Sequence, residues 1–116
     1  MSQRDWRDYA EDMVEYLGDA IRFTDGVSLA DFEANREKYL AVSRAMEIAG
    51  EAAKQVPPDV RARYPAVDWR GLAGFRDVLA HAYLVLQSEI IWDAAVNKAP
   101  LLRDELLRIL AEDKRE

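Results

Sequence analysis

The chain has 116 residues, half of them apolar, and a formal net charge of -6; that composition excludes a disordered chain and gives one domain, residues 1–116, with a core of modest size. It has no cysteine, so disulfides, thiolate zinc sites and cysteine nucleophiles are excluded. The acidic balance excludes nucleic-acid binding through a broad basic surface and leaves only a local patch for that role.

The opening stretch "MSQRDWRDYAEDMVEYL" lacks a basic-then-apolar signal pattern. No apolar run approaches the roughly 18 residues that a bilayer span needs. A soluble, cytoplasmic protein with no membrane partner is expected. Glycine and proline are scarce, at five and four. Leu, Ala, Glu and Arg, all good helix formers, are abundant, and no segment alternates with period 2. The expected fold class is all-α.

The first helix is expected over about Arg4 to Phe23, where Trp6, Tyr9, Met13, Tyr16, Leu17, Ala20 and Ile21 recur at spacings of three and four. "TDG" at 24–26 ends it. Ser28 with Asp31 three residues on reads as a capping box that restarts a helix. Apolar positions continue from Leu29 to about Val56, with Asn35 marking a bend or break, and Pro57-Pro58 ends the run. Residues 57–68 form the one substantial irregular segment, with a short helical turn over Asp59–Arg63. Asp68 is placed to cap the next helix, from Trp69 to about His81 or somewhat beyond. Ser88 is placed to cap another, from Glu89 to Asn97. Pro100 then either opens a last helix or kinks a continuous one. In the tail, Leu102, Leu106, Ile109 and Leu110 face inward. Long helices with short connections predict an antiparallel bundle of four to six helices.

Charge gathers in one place. Between Arg61 and Arg76 there are four arginines (Arg61, Arg63, Arg70, Arg76) and one acid, Asp68, so this segment sums to +3 in an acidic chain. Tyr64 and Trp69 are interleaved with the arginines. Arginine forks suit phosphate, and aromatic faces stack on unpaired bases. Arg61, Arg63 and Arg70 are the candidate RNA contacts; a solvated arginine surface is the plainer reading. Tyr64, Trp69 and Trp92 either line a cleft or fill the core, with Trp92 favouring the core.

The only histidine is His81, with Arg76 five residues before it and Tyr83 two residues after. Arginine and histidine suffice for metal-independent RNA cleavage. The imidazole takes the proton of a ribose 2′-hydroxyl or gives one to the leaving 5′-oxygen, and the guanidinium stabilises charge on the phosphate. RNA brings its own nucleophile, and one histidine with scattered acids makes no metal ligand set. Neither cofactor nor metal is expected. On an ideal helix Arg76 and His81 stand about 140° apart, so they act together only at a helix end, in a groove or across a two-fold axis. The alternatives are a histidine satisfied in a core or interface, and a tyrosine that only packs.

The spacing Arg76-Asp77-x-x-x-His81-x-Tyr83 resembles the signature of the HEPN superfamily, and specifically of its HepT toxin branch. The resemblance extends over "MEIAGEAAKQVPPDVRARYPAVDWRGLAGFRDVLAHAY" (46–83) and "SEIIWDAAVNKAPLLRDELLRIL" (88–110), about two thirds of the chain. It implies a HEPN-like helical bundle that dimerises around the motif helix. It implies a metal-independent endoribonuclease toxin in which Arg76 and His81 are catalytic and Asp77 is a supporting polar residue. It also implies a partner, a minimal nucleotidyltransferase antitoxin that transfers AMP to Tyr83 and so silences the site. The chain departs from many relatives in carrying Asp77 in place of Asn, Ala82 in place of Glu, and "LVLQ" at 84–87. A rival reading is a catalytically inactive HEPN-like dimer that only holds RNA or a partner. In a third, Arg76 and Asp77 simply neutralise a helix interface.

Overall fold

The computed structural model describes residues 4–81 and 87–113, the backbone alone for 76–81 and Gln87. Every element in it is helical. Helix α1 spans Trp6–Thr24. Asp5 caps it by accepting from the Arg7 amide at 3.3 Å, while the Asp8 carboxylate accepts from the Asp5 amide at 3.1 Å. The two orphan amides are thus satisfied reciprocally. At the other end the Thr24 hydroxyl donates back to the Ala20 carbonyl at 2.8 Å, and Gly26, at φ 71°, makes the left-handed turn that an L side chain resists.

The expected long helix from Leu29 is two helices. Helix α2 is Leu29–Ala34, capped by Ser28, and α3 is Arg36–Gln55. Asn35 leaves the helical region (φ -113°, ψ 91°), and its side chain accepts from the Lys38 amide at 3.0 Å. The break and the restart are therefore one residue's work: an Asn that ends one helix by capping the next. The chain continues through α4, Pro58–Arg63, and α5, Trp69–His81.

Helix α6 is Gln87–Asp93 and α7 is Ala99–Glu112. Between them Ala94–Lys98 forms a π turn, closed by the Ala99 amide donating to the Ala94 carbonyl. Proline at position 100 cannot donate to Val96, and its ring crowds that carbonyl. Widening the helix by one residue just before the proline relieves the clash while the backbone stays helical. Pro100 thus sits in the first turn of α7 rather than after a broken loop. Ser88 does not cap from outside: Gln87 is already helical, so Ser88 lies within the first turn of α6.

Long-range bonds fix the direction of packing. Lys38, at the start of α3, donates to the Phe23 carbonyl at the end of α1 at 2.9 Å. Arg7, at the start of α1, donates to the Leu110 carbonyl (3.1 Å) and pairs with Asp113 (2.7 Å) at the end of α7. Both neighbours of α1 therefore run antiparallel to it, as in an antiparallel bundle. The core among these helices holds Met13, Leu17, Phe32, Met46, Leu106 and Ile109, all fully buried. Each such side chain contributes about 1.5–3 kcal/mol of burial. Trp92 is partly buried and donates its indole N–H to the Val27 carbonyl at 2.8 Å, tying α6 to the turn between α1 and α2. Among the described residues no helix is long and apolar enough to cross a membrane.

Candidate active site

Helix α5 carries the motif positions Arg76, Asp77 and His81, and its first turn anchors it. The Asp68 carboxylate accepts from the Gly71 amide at 2.9 Å, as expected of an N-cap. A Cβ at position 71 would collide with that carboxylate, so glycine lets the cap close tightly over the helix start. Trp69 and Leu72 are buried and Phe75 is partly buried, while Arg70, Gly71 and Gly74 are exposed. The helix thus rests one side on α3 and leaves the other open.

From there α5 runs on as regular helix through Arg76, Asp77 and His81. On that backbone the Arg76 and His81 positions lie about 140° apart, while Asp77 and His81, at a spacing of four, are neighbours on the helix surface. The side chains of these three residues are outside what the structure describes, and Tyr83 lies outside the described residues altogether. Among the described residues no three acidic side chains gather as a metal ligand set.

The arginine cluster is divided. Arg61 and Arg70 line one surface hollow of about 440 Å³, together with Pro65, Ala66, Asp68 and Trp69. Arg61 is held there by its Nε, which donates to the Val56 carbonyl at 2.9 Å. Arg63 does not share that hollow. It lies over the Tyr64 ring, 5.7 Å from its centroid, and Tyr64 in turn packs against Trp6 at 5.8 Å. On the short helix α4 two residues turn about 200°, which separates Arg63 from Arg61.

The interleaved aromatics belong to the packing. Trp69 is buried, and its indole N–H donates to the Tyr64 carbonyl at 3.0 Å. A stacking platform for bases is therefore not built from Trp69. The cleft-or-core alternative resolves to core for Trp69 and to a half-buried helix contact for Tyr64. On another side of α5, Met46, Leu72, Phe75, Leu101 and Leu102 wall an apolar groove of about 350 Å³ against α3 and α7. Neither this groove nor the exposed Gly74 is marked by any spacing of apolar or charged residues in the sequence.

An all-helical bundle with an Arg–His pair on its fifth helix defines a narrow class. Residues 13–109 match the HepT-like family model, described as ribonuclease HepT-like. The chain belongs to the HepT-like ribonuclease family. A candidate RNase of Methanocaldococcus jannaschii is 39% identical over 100 residues, covering 86% of this chain and 83% of the relative. A second from the same organism is 34% identical over 112 residues, covering 97% and 93%. A protein of Thermococcus cleftensis named as a probable ribonuclease HepT is 33% identical over 107 residues, covering 92% and 97%. No solved structure matches the chain.

Proposed function

We propose that the chain, acting as one domain over residues 1–116, is a metal-independent endoribonuclease toxin of the cytoplasm. Its catalytic groups are Arg76 and His81. One observation carries the reading: Arg76 and His81 stand on one helix within the 13–109 region matched by the ribonuclease family. The ribose 2′-oxygen attacks the adjoining phosphorus and the bond to the 5′-oxygen breaks. The products are a 2′,3′-cyclic phosphate and a 5′-hydroxyl. A histidine takes the 2′-hydroxyl proton, a protonated histidine supplies one to the 5′-oxygen, and Arg76 stabilises the charge gathering on the phosphate. Two roles from one histidine, and an Arg–His pair separated around the helix, both favour a homodimer with two copies of α5 facing one RNA cleft. Asp77 neighbours His81 on the helix and serves as its supporting polar group.

The partner is a minimal nucleotidyltransferase antitoxin. The Tyr83 phenolic oxygen attacks the α-phosphorus of ATP, pyrophosphate leaves, and the phenolic proton is lost. AMP on Tyr83 brings a phosphate and a nucleoside beside Arg76 and His81, where they occupy the RNA cleft.

Purified protein should cleave RNA in the presence of EDTA. His81→Ala and Arg76→Ala should each lower the rate by about 10²–10⁴-fold, the usual weight of a general acid–base or charge-stabilising group. Intact RNA after incubation with folded wild-type protein would overturn the reading. Mass spectrometry after co-expression with the antitoxin should show added AMP that is absent in Tyr83→Phe.

A further inference from the structure

One helical register of α5, a stripe exposed where it passes Arg70 and Gly74, runs from the arginine hollow to the position of His81. Arg70 and His81 are eleven residues apart, which on a regular helix is three turns and about 20°. Gly74 and Asp77 fall between them at the i+4 and i+7 positions, within about 40° of Arg70. Arg70 and Gly74 are exposed, whereas Trp69 and Leu72, roughly on the other side, are buried. A Cβ at Gly74 would meet nothing within 4 Å, so the helix backbone there is open to close approach. At the start of the stripe Arg61 and Arg70 border one hollow, while its single acid, Asp68, is committed to the Gly71 amide.

We propose that this stripe is a track for single-stranded RNA. It anchors a backbone phosphate between Arg61 and Arg70, at a subsite separate from the chemistry at His81. The inference rests on the ribonuclease reading and adds a substrate requirement to it. Eleven residues of helix rise about 16 Å, and a stacked strand advances about 3.4 Å per nucleotide. The anchored phosphate therefore lies roughly five nucleotides from the scissile one. Because Trp69 is buried, the subsite holds backbone rather than bases, and it reads length rather than sequence. Gly74 keeps the middle of the track clear.

The test is fluorescence anisotropy with labelled 2′-O-methyl oligoribonucleotides, which lack the attacking hydroxyl and cannot be cut. Two lengths are used, about three and about twelve nucleotides, below and above the span of roughly five set by the ~3.4 Å rise. The wild type should bind the longer probe about tenfold tighter or better, and the gap should shrink as salt rises. Arg70→Glu and Gly74→Glu should remove most of that gap, and Arg70→Gln a smaller part. Arg44→Glu, on the exposed surface of α3, should retain it. Glutamate is favourable in the first turn of a helix and is a better helix former than glycine, so neither Glu variant should melt below the wild type. Equal binding of the two lengths, or wild-type binding of the long probe by both Glu variants, would overturn the track. Cleavage by the wild type and its loss in His81→Ala are read separately, so the track can fail while the ribonuclease chemistry stands.

Discussion

The half of the molecule built from α1, α3 and α7 and the half built from α4 and α5 are stabilised in different ways. In the first, α1 lies in a trough of fully buried side chains and is pinned at both ends. Lys38 reaches the Phe23 carbonyl, and Arg7 joins Asp113 and Leu110. In the second, α5 buries Trp69 and Leu72 in its first turn and then shows an exposed glycine, at position 74, where a helix former would be steadier. Glycine inside a helix costs about 1 kcal/mol relative to alanine. Stability is concentrated where no chemistry is proposed, and the motif helix gives up some of its own for an open face.

Three substitutions break or sharpen that contrast. The largest effect belongs to the packed half. Leu17 is fully buried, and Leu17→Ala should cost about 2–5 kcal/mol. Denaturant unfolding checks this, and a loss below about 1 kcal/mol would mean that the trough collapses onto the cavity rather than resisting it. A smaller loss is expected at the start of α5. Asp68→Ala removes the cap on Gly71 and should cost about 1 kcal/mol. Hydrogen exchange should show the change confined to the first turn of α5. The smallest change has the opposite sign: Gly74→Ala should raise stability by about 0.4–1 kcal/mol, because a Cβ there meets nothing. A destabilised Gly74→Ala would mean that the open face is covered in solution.

Much of the bundle was legible in the sequence because its signals are local. Helix α1 shows its buried face in apolar spacing, Asp68 announces α5, and Pro57-Pro58 ends α3. At Asn35 the sequence offered a bend or a break. The break won because the side chain caps the helix that follows. The π turn was hidden for a different reason. Pro100 advertises a disturbance, but whether the chain opens, kinks or widens depends on what α6 and α7 pack against. Ser88 misled because serine is common both before a helix and in its first turn, and only the neighbouring residue's backbone decides.

For the site, the motif positions were readable as spacing, whereas the division of the arginines was not. Arg61 and Arg63 are near neighbours in sequence, yet a six-residue helix turns them apart, and only Arg61 joins Arg70. Trp69 looked suited to stacking on a base because aromatic residues among arginines read alike whether they are surface platforms or core. Burial, a tertiary property, separates the two.

The π turn sets the phase of the molecule's last third. Helix α6 packs on α2 and α3, and α7 packs on α1. The extra residue in Ala94–Lys98 supplies the rotation between these two docking directions. Removing one residue from that turn would rotate α7 by about 100° relative to α6, swinging Leu106 and Ile109 out of the core while leaving every remaining side chain chemically intact. The exposed positions Asn97 and Lys98 should therefore accept substitutions, the buried Ala94 and Ala95 should not, and the whole stretch should resist one-residue deletions, because what it encodes is a count.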